Sequence, residues 1–221
     1  MQQQVLEDNL EILKLVNELG SGSRGYRRHR ETALKNIVSE IYSKPRVTEA
    51  LKLLPSLGLS AGFALDLTTT DERGRSWDFT KDVMKNKARE KVKTEKPMLL
   101  IGSPSCTAFC TWQSLNAARH DLDEAGRQRL AALKAEAIAH MTFVTELYQL
   151  QVDGGRYFLH EHPAGASSWQ LDCVRSLLDR DSVERVNGDQ CQYGQADSEG
   201  RPIRKATGWM SNSAEILLRL D

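Results

Sequence analysis

Cysteine is scarce in this chain, and the four cysteines are not spaced to bind a metal or to form a disulfide framework. They stand at positions 106, 110, 173 and 191, and no Cys-x-x-Cys pair occurs. Thiolate pairs at that spacing are typical of structural zinc sites, and dense cysteines are typical of small secreted proteins. We therefore expect no metal centre and a reduced intracellular protein, either in the cytoplasm or in the nucleus.

Net charge and long apolar runs are also missing. The 30 basic and 30 acidic side chains cancel, so no overall field draws the chain to nucleic acid or to a membrane surface. No apolar run approaches the roughly 20 residues of a membrane span. The N-terminus lacks the basic and apolar parts of a secretory signal. These absences predict a protein without a membrane partner.

A basic segment near the N-terminus is the first positive feature. Residues 4–19 carry apolar side chains at mostly helical spacing, and the Gly-Ser-Gly-Ser run that follows would end that helix. Residues 24–30 form the one basic cluster. Such a cluster is usually solvated surface, and the alternative is an arm that contacts phosphates through Arg27 and Arg28. We expect a helical arm over residues 1–35 and one larger domain over residues 36–221.

Strand-like and helix-like patterns alternate from residue 36 onward. This alternation predicts an α/β fold with a mostly parallel sheet and flanking helices. Strands are expected at 36–42, 62–67, 97–101, 156–161 and 183–186, with a strand or loop at 206–211; helices are expected at 47–54, 81–95, 123–150, 169–178 and 214–220, and a hairpin region at 190–202.

The most informative segment is the apolar run that ends at Gly102, Ser103 and Pro104. An apolar run bounded by glycine and proline indicates a buried strand followed by a tight loop. Loops at the carboxyl ends of parallel strands hold ligands and catalytic groups. Cys106 follows at once, so it is a candidate nucleophile; the alternative is a small, buried apolar residue.

Glu161 is the second candidate, because it ends the strand predicted over residues 156–161. The carboxyl ends of parallel strands share one edge of the sheet, so a thiol and a carboxyl group from separate strands can meet in one crevice. A carboxyl group in a partly dry crevice shifts toward its neutral form and can donate a proton. This pair suits conjugate addition to an electron-poor ring. His160 and His162 flank Glu161, and alternation places both on the opposite face of the strand.

The order of these segments resembles the motif order of the DNA cytosine-5 methyltransferase superfamily, over roughly residues 36–194. The similar segments are residues 40–43 (the opening Asp-Leu-Phe-Ser strand), 63–66 (the acid-bearing second strand), 77–79 (the third motif), 99–109 (the Gly-x-Pro-Pro-Cys-x-x-Phe-Ser loop), 159–163 (the Glu-Asn-Val motif) and 190–192 (the Gln-x-Arg motif).

The resemblance implies a Rossmann-like methyltransferase fold and the transfer of a methyl group from S-adenosylmethionine to C5 of cytosine in DNA. The sequence alone does not distinguish DNA from RNA or from a free nucleotide as the substrate. It implies that Cys106 adds to C6 and that Glu161 acts at N3. It also implies that Asp66 binds the ribose and Asp78 the adenine. The full implied cofactor set is Tyr42, Ser43, Asp66, Leu67, Asp78, Phe79, Ser103 and Pro104, and the extruded base would contact Gln190 and Gln192.

The chain departs from the family pattern at five points. The departures are Lys44, Pro45 and Arg46 in place of a glycine-rich turn, Ser105 in place of the second proline, Glu-His-Pro in place of Glu-Asn-Val, Gln192 in place of arginine, and little sequence after residue 194 to form a target-recognition domain. The altered loop and the missing recognition domain favour an alternative, a catalytically degenerate module that binds nucleic acid or a protein partner. For an active enzyme, a protein partner would be a source of target recognition. A thiol hydrolase is a third interpretation, and it requires contact between Cys106 and a histidine.

Overall fold

Residues 37–110, 113 and 123–221 are described by the computed structural model, and six of their segments form one mixed sheet. The strands are β1 (Ile37–Ile41), β2 (Ser60–Leu65), β3 (Leu99–Gly102), β4 (Tyr157–Pro163), β5 (Glu184–Asp189) and β6 (Ala206–Ser211). Their order is β2-β1-β3-β4-β6-β5. The strands β1 to β4 are parallel, and β6 is antiparallel to both of its neighbours, β4 and β5. The predicted α/β fold with a mostly parallel sheet is confirmed; the arm predicted over residues 1–35, with Arg27 and Arg28, lies outside the described residues.

The helices of the described chain flank this sheet. They are α1 (Val47–Leu53), α2 (Asp82–Glu95), α3 (Glu124–Asp153), α4 (Asp172–Leu178) and α5 (Ala214–Leu217). Short 3-10 turns occur at Pro55–Leu57, Thr107–Phe109, Ser167–Gln170 and Gln190–Tyr193. The Asp123 carboxylate accepts a hydrogen bond from Gly126 N at 2.7 Å, so a side-chain cap begins the long helix α3. None of these helices is long and apolar enough to cross a membrane.

One predicted helix and one predicted hairpin are shorter in the structure than their predicted ranges. The helix predicted from residue 169 begins with a 3-10 turn and becomes α-helical only at Asp172. The region predicted as a hairpin over residues 190–202 begins with the turn Gln190–Tyr193. A short antiparallel hairpin follows, in which Ala196 bridges to Pro202 and the Asp197 N–H donates to the Arg201 carbonyl at 2.9 Å. Gly194, with a φ of 86°, ends the turn Gln190–Tyr193 in a left-handed conformation, which interrupts an extended strand.

The core lies where α2, α3 and α4 pack on one face of the sheet. Ile41, Leu100, Phe158 and Met210 on the strands belong to one buried cluster with residues of α3 such as Leu147. Each such side chain contributes about 1.5–3 kcal/mol through burial. The arrangement fixes α3 against the carboxyl ends of β1 and β3.

The strand order reverses between β1 and β3. From β1 the chain passes to β2 on one side, and from β2 it crosses back to β3 on the other side. Loops that leave two such strands diverge, and the crevice between them is the usual ligand site of an open parallel sheet.

Candidate active site

A pocket of about 410 Å³ occupies this crevice. Its size is in the range of small-molecule sites, roughly 300–1,000 Å³. Residues that follow β1, β2 and β3 form its walls together with one face of α3. Six of the eight residues predicted to bind a cofactor line it, namely Tyr42, Asp66, Leu67, Asp78, Phe79 and Ser103.

Tyr42 forms the corner of the pocket directly after β1. Its φ of 55° is left-handed, and its N–H donates to the Leu65 carbonyl at 2.9 Å. The strand predicted through residue 42 therefore ends at Ile41. The Tyr42 hydroxyl lies 2.8 Å from His140 Nδ1, and its ring centroid is 4.8 Å from that of Phe79. A left-handed conformation is rare for a residue other than glycine, and such strain concentrates at functional sites.

The loop after Tyr42 folds around the buried carboxylate of Glu40, a residue of β1 that is 1% exposed. Glu40 accepts hydrogen bonds from the backbone N–H groups of Arg46, Val47 and Thr48 and from the Thr48 hydroxyl. The Ser43 hydroxyl lies 3.3 Å from Glu40 Oε1. A carboxylate at the start of a helix stabilises N–H groups that have no intrahelical partner. These hydrogen bonds hold the loop against Glu40. Residues 43–46 do not line the pocket, so the predicted cofactor residue Ser43 is not part of its wall.

Asp66 uses one carboxylate oxygen in local contacts, and Asp78 uses both. Asp66 Oδ1 accepts from the N–H and hydroxyl groups of Thr68, at 2.9 and 2.7 Å. Asp78 Oδ1 accepts from the same two groups of Thr80, and Asp78 Oδ2 pairs with Lys81 Nζ at 3.0 Å. Hydrogen bonds from Thr80 and the Lys81 ammonium lower the pKa of Asp78 to about 2. Asp78 is therefore ionised at neutral pH, and Asp66 Oδ2 has no partner among the described side chains.

The charged side chains that line the pocket are acidic. Asp66, Asp78 and Glu136 line it, and the described lining contains no lysine or arginine. Its aromatic members are Tyr42, Trp77, Phe79 and the imidazole of His140. Carboxylates repel phosphates and attract cations, and aromatic faces also attract cations. The pocket therefore suits a ligand with positive charge better than a nucleotide phosphate.

The loop after β3 supplies one wall of the pocket. At Gly102 a Cβ atom would overlap the Tyr148 hydroxyl, so the end of β3 requires glycine. Ser103, Ser105, Thr107 and Ala108 line the pocket, while the buried Pro104 does not.

Cys106 stands between these lining residues and precedes the turn Thr107–Phe109. It is a free, partly exposed cysteine, and its thiol has no hydrogen-bond partner among the described residues. Cys110 differs, because its thiol donates to the Thr107 carbonyl at 3.2 Å. Cys106 itself does not line the pocket, and of these two thiols it is the one without a hydrogen bond among the described residues.

Two buried histidines on β4 lie under this loop. The His162 ring is 5.9 Å from that of Phe109, and its Nδ1 lies 2.7 Å from the Ser168 hydroxyl. His160 Nδ1 lies 3.1 Å from the Tyr148 hydroxyl. Burial lowers the pKa of both histidines, so both are neutral at pH 7 and act as packing groups. No hydrogen bond to the Cys106 thiol comes from a described histidine, so the geometry does not favour a thiol hydrolase.

Glu161 lies on the other face of β4, next to Gln190. Its side chain is 18% exposed, and its Oε1 accepts from Gln190 Nε2 at 3.2 Å and from Lys205 Nζ at 3.3 Å. Its Oε2 has no partner in the described part of the chain. The predicted acid and one predicted base-contacting residue are thus in direct contact. Gln192 is exposed and has no hydrogen bond to this group.

Sequence reasoning missed three of these residues. Glu136 and His140 line the pocket from α3, where an i, i+4 pair on an amphipathic helix looks like solvated surface. Lys205 stands directly before β6, and it approaches Glu161 only because β6 pairs with β4. The available sequence signal for Glu136 and His140 was their i, i+4 spacing, which places them on the same face of α3 as Leu133 and Ala137.

No protein-family model matches the chain, and no curated protein is significantly similar to it. Among the described residues, no three His, Cys, Asp or Glu side chains are grouped to hold a metal ion.

Proposed function

We propose that the chain is a Rossmann-like methyltransferase that transfers a methyl group from S-adenosylmethionine to C5 of a cytosine in DNA. One observation carries the proposal. The Cys106 loop forms a wall of the acidic pocket and packs against His162 of β4, the strand that also carries Glu161. A methyl donor in the pocket and a base held between Cys106 and Glu161 would then be neighbours.

The pocket residues fit the methyl donor. Its sulfonium and ammonium groups are cationic, and the pocket offers carboxylates and aromatic faces without a described lysine or arginine. The free Asp66 Oδ2 suits the ribose hydroxyls, and the ionised Asp78 suits the adenine amino group. When bound, the cofactor supplies an electrophilic methyl group on sulfur.

Cys106 and Glu161 carry the chemistry on the base. The Cys106 thiolate forms a bond to C6 while Glu161 gives a proton to N3, so electron density moves to C5. After C5 has gained the methyl group, a water molecule removes the C5 proton. The bond from Cys106 to C6 then breaks, and the N3 proton returns to Glu161. The target base must leave the helical stack, at a cost of a few kcal/mol on duplex DNA.

A catalytically degenerate module is the second candidate. Glu40 occupies the N–H groups of Arg46, Val47 and Thr48 at the start of α1, so these three groups are not available to a cofactor. Such a module would bind DNA or a protein partner and would not bind the methyl donor.

Calorimetric titration with S-adenosylhomocysteine separates the two candidates. We expect binding to the wild-type chain, and binding about tenfold weaker in Asp66→Asn, because the variant loses a charged acceptor. Asp179→Asn, a change of an exposed acid on another part of the surface, is the matched control and should bind as wild type. Absence of binding of both S-adenosylhomocysteine and S-adenosylmethionine would contradict the enzyme proposal.

A further inference from the structure

Three backbone N–H groups that follow β1 are already used within the fold. The N–H groups of Arg46, Val47 and Thr48 donate to Glu40 at 2.8–3.3 Å. Residues 43–46 do not line the pocket. Any charged end of a ligand in the pocket must therefore be held by other groups.

One face of α3 is the wall that offers such groups. Leu133, Glu136, Ala137 and His140 line the pocket, and their spacing of three, four and seven residues places them on a single helical stripe. The Glu136 side chain is 60% exposed, and its Oε1 lies 3.6 Å from His140 Nε2. Its other oxygen has no partner among the described residues, so Glu136 can accept hydrogen bonds from a ligand.

His140 is held in one orientation by Tyr42. The Tyr42 hydroxyl lies 2.8 Å from His140 Nδ1. Burial raises the pKa of Tyr42, so its hydroxyl stays protonated and can donate to Nδ1. With Nδ1 as an acceptor from Tyr42, Nε2 is the ring nitrogen that carries a proton, and it is a donor directed to the side of Glu136.

We propose that Glu136 and His140 bind the amino-acid end of the methyl donor, with Glu136 accepting from its ammonium group and His140 Nε2 donating to its carboxylate. The inference rests on the proposed function. The remaining walls are already matched to the rest of the ligand. Asp66 and Asp78 suit the nucleoside, and Ser103 and Ser105 belong to the loop that carries Cys106, where the sulfonium must lie.

Two ligands that differ only at the amino-acid end test the assignment. S-adenosylhomocysteine carries that end, and 5′-deoxy-5′-methylthioadenosine replaces it by a methyl group. By calorimetry, we expect Glu136→Gln to weaken S-adenosylhomocysteine binding about tenfold, as for the loss of one charge-assisted hydrogen bond. Binding of methylthioadenosine should change less than about twofold, since that ligand has no ammonium group for Glu136.

Two further variants complete the design. Glu136→Asp keeps the charge and should recover part of the affinity for S-adenosylhomocysteine. Glu124→Gln, which alters an exposed acid in the first turn of α3, should bind both ligands as wild type. An equal loss for both ligands in Glu136→Gln, or no loss for either, would overturn the assignment. If the wild-type chain bound neither ligand, the methyl-donor pocket itself would be refuted, and this assignment with it.

Discussion

Glu40 and Glu161 are both carboxylates in parallel strands of one sheet, and they are used in opposite ways. Glu40 is 1% exposed, and both of its oxygens accept hydrogen bonds from the start of α1. Glu161 accepts through Oε1 alone, from Gln190 and Lys205. A carboxylate whose acceptor positions are filled stabilises the fold, and one with an unfilled oxygen beside a crevice is available to a substrate.

The largest expected effect is on the rate in Glu161→Gln. We expect methyl transfer to fall by about 10²–10⁴-fold, because the amide cannot donate and recover the N3 proton. The free energy of unfolding should change by less than about 1 kcal/mol, since the side chain is partly exposed. Methyl transfer from radiolabelled donor and urea unfolding give the two values. A variant that retains activity would show that Glu161 is not the acid.

Glu40→Gln should instead lower the stability of the fold strongly and change cofactor binding little. The amide group faces several N–H donors with only one acceptor oxygen, so we expect the free energy of unfolding to fall by about 2–4 kcal/mol. Cofactor binding by the folded fraction should stay within about threefold of wild type. The control is Glu49→Gln on α1, whose pair with Lys52 is exposed and which should cost less than about 0.5 kcal/mol. Equal stability of Glu40→Gln and Glu49→Gln would contradict the structural role of Glu40.

Lys205→Met tests the cation beside Glu161. We expect kcat/KM to fall about tenfold, because one charge-assisted hydrogen bond in the crevice is lost. Lys205→Arg should retain most of the activity. The neighbouring change Arg204→Met removes an exposed partner of Asp189 and should have little effect. An equal loss in both methionine variants would indicate a general effect of surface charge.

The smallest effect concerns Asp71, which ties the loop between β2 and α2 through Arg75 and Lys87. Hydrogen bonds from Arg75 and then Lys87 hold the pKa of Asp71 well below its usual range. A lowered carboxyl pKa stabilises the fold above the unfolded value of about 3.9, and that contribution disappears as the pH falls toward the folded value. Asp71→Asn should therefore be less stable than wild type at pH 7, with a difference that shrinks below pH 4. Urea midpoints at pH 7, 4 and 3 measure it, and a constant difference would refute the ionic role.

Much of the fold could be predicted from local pattern. Alternation and apolar spacing indicated the strands and helices to within a few residues, since β1 to β4 and the long helix α3 carry strong periodic signals. The position of β6 between β4 and β5 could not be predicted in this way, because strand pairing depends on contacts between residues distant in the chain.

The site was predictable where a motif follows a strand. Asp66 and Ser103 reach one pocket because the carboxyl ends of parallel strands share one edge of the sheet, and Asp78 joins them from the loop between β2 and α2. The role of Glu40 was not predictable, because its partners in α1 depend on how the loop after Tyr42 folds. The approach of Lys205 to Glu161 likewise required the tertiary structure.

Covalent trapping tests the central claim most directly. DNA that contains 5-fluorocytosine has no C5 proton to lose, so the adduct formed after methyl transfer cannot break down. Incubation with S-adenosylmethionine followed by denaturing electrophoresis should show a protein–DNA adduct with the wild-type chain and with Cys110→Ala. Cys106→Ala should give no adduct. An adduct that persists in Cys106→Ala, or wild-type protein that binds both ligands and forms none, would contradict methyl transfer through Cys106.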